Sequence, residues 1–246
     1  MKFFAISDVG SVRERNEDCC LTKEYADGAL FAVFDGMGGA NAGEVASATA
    51  RDEVEAYFDL FFAEKKMNEP AAIQAALATA ADRANAKIFA MASGNPDCEG
   101  MGTTLVAALC VREKIYIANV GDSRAYLIDR EGTVQLTRDH SFVQYLVDIG
   151  KITPEEARTN PKKNIITRAV GVEKEVSVDV FVLEKMEYAG KTLLLCSDGL
   201  SGYIDPAAMT KTFAENSDCE SFTRALVDAA NAAGGSDNIT AVAVSL

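Results

Sequence analysis

Acidic residues stand where runs of apolar residues stop. Phe31-Ala32-Val33-Phe34 is followed by Asp35-Gly36, the run 115–120 by Gly121-Asp122, and Leu193-Leu194-Leu195-Cys196-Ser197 by Asp198-Gly199. Gly234-Gly235-Ser236-Asp237-Asn238 leads straight into an apolar run beginning at Ile239, and Glu17-Asp18 precedes one beginning at Cys19. Each Asp-Gly or Gly-Asp step taken singly also reads as a turn, because Asp supports local hydrogen bonds and Gly reaches positive φ. Taken jointly they describe acids at a sheet rim. Carboxylates brought close together repel, and one of them takes up a proton unless a cation intervenes. Several acids, glycines that expose backbone carbonyls and a single histidine, His140, suit a hard cation of the magnesium or manganese kind. In Asp35-Gly36-Met37-Gly38-Gly39 the glycines let the chain curl, so that the Asp35 carboxylate and the Gly36 carbonyl can face one ion. Two divalent ions held by such a cluster can sandwich a water, lower its pKa and neutralise an incoming phosphate. Arg13, five residues before Asp18, could fork two hydrogen bonds to phosphate oxygens.

The composition narrows the classes of function. In 246 residues, 37 acids against 24 bases leave a formal charge of −13, which disfavours nucleic acid and anionic membranes as partners. No apolar stretch approaches the roughly 18 to 20 residues needed to span a bilayer. Asp8 interrupts the N-terminal apolar residues before a signal-peptide core can form, so a cytoplasmic protein is expected. With one imidazole, zinc sites built on several histidines are excluded, and any Ser-His-Asp or Cys-His nucleophile would have to use His140. The six cysteines show no Cys-x-x-Cys pair and several lie inside apolar runs, as Cys110 does, which reads as small core residues in a reducing compartment.

The elements that must position these acids follow from the periodicity. Val54, Tyr57, Phe58 and Phe61 predict a helix over about 43–64, with Asn41 as its cap. Ile73, Leu77, Ala80, Ala84, Ile88 and Met91 predict a second helix opening at Pro70 and running to about Ala92. Short apolar runs at 103–112, 115–120, 124–129 and 133–136 are joined by connections too short for crossover helices, which predicts an antiparallel meander. The more polar stretch 141–170 carries helical patches at 142–149 and 154–158. Strands are expected at 176–182 and 191–197, helices at 206–214 and 217–232, and a last strand at 239–245. Clustered strands and paired helices favour α+β over alternating α/β. One domain over 1–246 is expected, with 141–170 as an inserted flap.

Seven blocks, in order and with fitting spacing, resemble the metal-dependent protein phosphatases, that is, the type 2C serine/threonine phosphatases in their bacterial form. They are the segment from Ser7 to Asp18, Val33-Phe34-Asp35-Gly36-Met37-Gly38-Gly39, Gly102-Thr103-Thr104, Val120-Gly121-Asp122-Ser123-Arg124, Thr167-Arg168-Ala169-Val170-Gly171, Ser197-Asp198-Gly199-Leu200 and Ser236-Asp237-Asn238-Ile239-Thr240. The resemblance implies a four-layer α-β-β-α sandwich, two antiparallel sheets flanked by helix pairs. It implies a first metal on Asp35, Asp198 and Asp237, and a bridge through Asp35 and the Gly36 carbonyl to a second. Glu17 and Asp18 would act mainly through metal-bound waters, Arg13 would grip the phosphate, and Asp122 with Asp198 would hold a third, looser ion. The implied cofactors are two Mn2+ or Mg2+ ions. The implied reaction is hydrolysis of phosphoserine and phosphothreonine in proteins, the substrates of a serine/threonine kinase.

Two positions depart from the wider family. Met37 stands where eukaryotic relatives commonly carry a histidine proposed to protonate the leaving oxygen, and a thioether cannot do so. Asn160-Pro161 replaces a His-Pro seen in many relatives. His140 itself reads as a hydrogen-bonded structural residue. Two other functions compete with the phosphatase reading: a metal-dependent phosphoesterase on small phosphate esters, and a non-catalytic phosphoprotein-binding module of the same fold. No coiled-coil or dimer stripe appears, so a monomer is expected.

Overall fold

The computed structural model describes residues 1–38, 42–64, 69–216 and 218–246. In chain order its strands are β1 (Lys2–Asp8), β2 (Asp18–Tyr25), β3 (Gly28–Met37), β4 (Gly102–Thr103), β5 (Leu105–Val111) and β6 (Lys114–Val120). They continue with β7 (Arg124–Ile128), β8 (Thr133–Gln135), β9 (Asp179–Glu184), β10 (Thr192–Cys196) and β11 (Ile239–Ser245). The helices are α1 (Ala42–Ala63), α2 (Pro70–Gly94), α3 (Phe142–Asp148), α4 (Pro154–Thr159), α5 (Lys185–Tyr188), α6 (Asp198–Ser201), α7 (Pro206–Glu215) and α8 (Cys219–Ala232).

Two antiparallel sheets form, one in the order β1-β11-β10-β7-β8 and the other β2-β3-β5-β6-β9, with β4 added against the end of β3. Both central regions are apolar on two faces, so each face needs a cover. Inward-facing Phe31, Val33, Val106, Ile117, Leu193, Leu195, Val242 and Val244 form the core between the sheets. Outward-facing Leu30, Ala32, Leu109 and Tyr116 pack under α1 and α2 through Val54, Phe58, Leu77, Ala84 and Ile88. On the opposite side Leu194, Ala241 and Ala243 pack under α7 and α8 through Met209, Phe222, Leu226 and Ala230. The alanine-rich face of α2 lets it lie close to its neighbours, and Pro70 occupies the first helical turn, where its missing N–H costs nothing. The expected four-layer α-β-β-α sandwich is what the chain forms.

Several boundaries differ from the sequence-based expectation. The strands of 103–136 do not make one meander: β5 and β6 pair in one sheet, β7 and β8 in the other. The chain changes sheet at Gly121-Asp122-Ser123, where Gly121 has φ +104° and lies on the Thr104 side chain. Every residue of β5 is buried, and its run carries no polar alternation to tell one sheet from the other. The run at 103–112 is split at Thr104, whose hydroxyl is spent on Asp35 of β3 and on Ser123 in the turn before β7. The strand expected at 176–182 is shifted to Asp179–Glu184, set by pairing with β6. Strand β1 and the short helices α5 and α6 were not anticipated. Asn41, Gly39 and Ser217 lie outside the described residues.

Parity of burial along the strands sets the site. The inward row of β10 runs Leu193, Leu195 and then Ser197; that of β11 runs Val244, Val242 and then Thr240. The same step from apolar to polar is made by Val33 to Asp35, Cys20 to Asp18, Val106 to Thr104, Ile117 to Asn119, Ala125 to Ser123 and Ala5 to Ser7. Side chains two apart share a face of a strand. The antiparallel registers bring these row ends to the same end of the sandwich. The inter-sheet core is therefore closed at one rim by carboxyl, hydroxyl and amide groups.

Candidate metal centre

Asp18 and Asp35 are opposite each other across β2 and β3. The amide of Gly36 donates to the Glu17 carbonyl at 3.2 Å, so the neighbouring Asp18–Asp35 pair is of the non-hydrogen-bonded type, in which side chains come closest. Because the Asp35 amide then points away from β2, it donates to Thr104 Oγ1 at 3.0 Å. Thr103 Oγ1 donates to the Asp35 carbonyl at 2.9 Å, and Thr104 and Ser123 share a hydroxyl hydrogen bond of 2.6 Å. The residue that carries Asp35 is thus tied to the turn that carries Asp122. Across the gap between the sheets, Ser197 Oγ donates to Asp18 Oδ2 at 2.7 Å and accepts from the Thr240 amide at 3.0 Å. Thr240 and Ser7 share a hydroxyl bond of 2.7 Å, and Asn16 Nδ2 donates to Ser7 Oγ at 2.8 Å.

Glycine is required at two close approaches. A Cβ on Gly36 would lie 2.2 Å from the Gly43 carbonyl oxygen and 2.4 Å from that of Glu17. One on Gly43 would lie 2.9 Å from Glu17 Oε1, so this helix residue leaves the space that the Glu17 carboxylate fills.

The acids are electrostatically one group. Burial pushes Asp18 up to about 7, the Ser197 and Thr240 hydrogen bonds pull it down, and Asp198 and Asp237 add to the rise. Burial holds Asp35 well above the usual carboxylate range, reinforced by Asp18, Asp198, Asp122 and Asp237. Asp122 is likewise held high by burial, by Asp198 and by Asp139. Asp198 is raised by burial and by Asp237, against Lys163, Arg124 and a hydrogen bond from the Asp35 carboxyl. Glu17 is raised by burial, with Arg13 opposing. The nearby cations do not undo these shifts. Arg13 sits at the exposed edge, its Nη2 2.9 Å from Asp237 Oδ1, and Arg124 is committed to a bidentate pair with Asp139 at 2.6–2.9 Å.

The structure therefore brings Glu17, Asp18, Asp35, Asp122, Asp198 and Asp237 together, with Gly36 beside Asp35 and Arg13 on the rim. Among the described residues, no three His, Cys, Asp or Glu side chains already stand as a closed cage for an ion. Three of these carboxyls meet protein partners: Asp18 meets Ser197, Asp35 meets Asp198 and Asp237 meets Arg13. The donor set nonetheless fits hard divalent cations, since a cation is the one addition that removes both repulsion and the burial penalty from several carboxylates at once. Protons taken up by the carboxyls relieve the repulsion only by removing the charge.

The remaining residues singled out in the sequence fall nearby. Met37 ends β3 against Gly102, whose added Cβ would lie 3.0 Å from Met37 Cε. His140 is structural, as read: its Nδ1 accepts from the Gly121 amide at 3.0 Å and its Nε2 faces Asp179 at 3.1 Å. The segment after it is closed at its base by a Ser141–Ile166 bridge and by the Thr167 amide bonded to the His140 carbonyl at 2.8 Å. Between this segment and α6–α7 lies a cleft of about 420 Å³ lined by Asp122, Asp198, Asp237, Arg158 and Lys163. Ser197, Thr240, Thr104 and Ser123 carry roles that motif reading alone did not assign. The switch from apolar to hydroxyl at the end of each two-residue period was the available signal.

Comparison with known proteins agrees with this architecture. The family described as "Protein phosphatase 2C" matches residues 11–242. The serine/threonine phosphatase stp of Listeria innocua is 39% identical over 239 residues, covering 97% of this chain and 93% of that protein. The crystal structure of the serine/threonine phosphatase Stp1 from Staphylococcus aureus superposes with a TM-score of 0.92 at 35% identity, covering 100% of this chain and 95% of the other. A crystal structure of the catalytic domain of the serine threonine protein phosphatase PstP with two manganese ions gives 0.82 at 36% identity, covering 98% and 96%. Since the matched span and the shared layers both run nearly end to end, the chain belongs to the protein phosphatase 2C family.

Proposed function

We propose that this protein is a metal-dependent serine/threonine phosphatase whose reaction centre is the rim of acids between the two sheets. The observation that carries the reading is the facing pair Asp18–Asp35, the first buried and the second half-buried, mutually repelling and tied through Asp35 to Asp198. Asp35, Asp198 and Asp237 would hold one Mn2+ or Mg2+, and Asp35 with the Gly36 carbonyl would bridge to a second. When bound, two such ions would supply an activated water as nucleophile and charge to match the phosphate. Glu17 and Asp18 would act on the waters around them, Asp18 held in orientation by Ser197. Arg13 would orient the phosphate from the exposed edge, where its guanidinium already faces an anion, the Asp237 carboxylate. Asp122, which feels the Asp198 charge, would hold a third and weaker ion with it. Met37 cannot donate a proton, so water would protonate the departing serine or threonine oxygen, or that oxygen would leave unassisted.

The whole chain would act as one catalytic domain, with the segment 141–170 as a flap that shapes substrate choice across the cleft. Phosphoproteins made by a serine/threonine kinase would be the substrates, acted on by a cytoplasmic monomer. The six free cysteines fit a reducing compartment. No helix among the described residues is long and apolar enough to cross a membrane. The test is release of phosphate from a phosphothreonine peptide with and without manganese. Turnover that is lost on chelation and restored by the ion is expected, and metal-loaded protein without turnover would overturn the reading.

A further inference from the structure

Between β1 and β2 the chain runs from Val9 to Glu17 without regular secondary structure, and this loop carries both Arg13 and Glu17. A loop of that kind loses roughly 1–2 kcal/mol per residue on being ordered, so its position depends on what fastens it. The Ser11 amide donates to the Gly235 carbonyl at 2.7 Å and Asn16 Nδ2 to Ser7 Oγ at 2.8 Å, and one buried side chain makes three more bonds to the loop. Asn238, 4% exposed, accepts from the Glu17 amide through Oδ1 at 2.8 Å and donates through Nδ2 to the Val9 carbonyl at 2.9 Å and the Arg15 carbonyl at 2.8 Å. The carboxamide therefore spans the loop, gripping it on both sides of Arg13. Its own backbone amide donates to Asp237 Oδ1 at 2.9 Å, and Asp237 is the carboxylate that Arg13 meets. From the far side, a Cβ on Gly199 would fall 1.9 Å from the Asn238 carbonyl oxygen, so the turn after Asp198 packs directly on the same residue.

We infer that Asn238 is the positioning residue that sets Arg13 against the metal-binding acids, a role that rests on the phosphatase reading above. The chemistry required is narrow. The position needs one acceptor and two donors in a plane at short reach, which asparagine supplies, whereas aspartate offers acceptors only and serine a single donor. Asn238→Asp keeps the shape and the bond from the Glu17 amide but sets a carboxylate oxygen against two carbonyls. The loop would then swing Arg13 out of register while Asp35 and Asp198, held from other strands, stay in place.

The experiment is a double-mutant cycle on manganese-loaded protein with a phosphothreonine peptide, combining Asn238→Asp with Arg13→Ala. Loss of two hydrogen bonds to the loop predicts a rise in KM of about tenfold for Asn238→Asp, larger than its change in kcat. In the Arg13→Ala background the same substitution should change KM by less than about twofold. Additive effects in the two backgrounds would overturn the inference. Hydrogen exchange supplies a readout independent of turnover: the Glu17–Gly10 segment should exchange about tenfold faster in Asn238→Asp, with β11 unchanged. Unaltered exchange in that segment would overturn the inference even if activity fell. Wild-type protein without manganese-dependent turnover would sink the phosphatase reading instead, leaving the fastening of the loop to be decided by exchange. Should Asn238→Asp fail to fold, Asn238→Ser, which keeps one donor, is measured the same way with the same criteria.

Discussion

Replacing Thr104 by valine tests how the acids are held. The substitution preserves shape and removes only a hydroxyl, which serves two partners: it accepts from the Asp35 amide at 3.0 Å and shares a 2.6 Å bond with Ser123. Ser123 is fully buried, so its hydroxyl cannot turn to water. The Asp35 amide cannot turn to β2 either, because that ladder places its bond one residue on, from Gly36 to Glu17. Leaving a buried polar group without a partner costs about 1–3 kcal/mol, so two orphans amount to roughly 2–6 kcal/mol. For a chain of this length that corresponds to a fall in Tm of roughly 4–24 °C. Thr104→Ser keeps the hydroxyl and gives up only the methyl that rests against Gly121, a loss of about 1 kcal/mol. Thermal unfolding of the metal-free proteins, followed by circular dichroism, should therefore rank wild type above serine and serine well above valine. Calorimetric titration with manganese should show weaker binding in the valine variant, since the strand carrying Asp35 has lost its fastening. A valine variant as stable as serine, binding manganese as wild type does, would refute the reasoning.

Three further outcomes are expected. Asp35→Asn removes one charge from the centre of the acidic group and should lower kcat on a phosphopeptide by several orders of magnitude; near wild-type turnover at ordinary manganese concentrations would show the assignment to be wrong. Asp122→Ala should leave activity recoverable at higher metal concentration, read as a rightward shift in a manganese titration of both rate and Tm. In chelator, stability should fall as pH rises from about 4 to about 8. Asp18 titrates near 7 in the folded chain against about 3.9 in the unfolded one, and Asp35, Asp122 and Asp198 are raised in the same direction, so the folded state binds more protons across that window. Manganese should reverse the slope by replacing those protons, and a metal-free Tm that climbs with pH would contradict the shifts.

The amino-acid sequence by itself determined the chemical character of this protein. Apolar runs that end in Asp35, Asp122 and Asp198, and Asp237 ahead of the last strand, name the ligand type, and one histidine removes the common alternatives. Periodicity also placed α1, α2, α7 and β11 to within a residue or two of where they lie. Tertiary structure alone decided how the acids are held in place. Asp18 is fastened by Ser197, 179 positions away, and Glu17 by Asn238, 221 positions away, contacts that no local pattern encodes. It also decided that β6 and β7, though separated by three residues, enter different sheets. Strands buried on both faces look alike in sequence because alternation is informative only where one face meets water, and long-range pairing then chooses the partner.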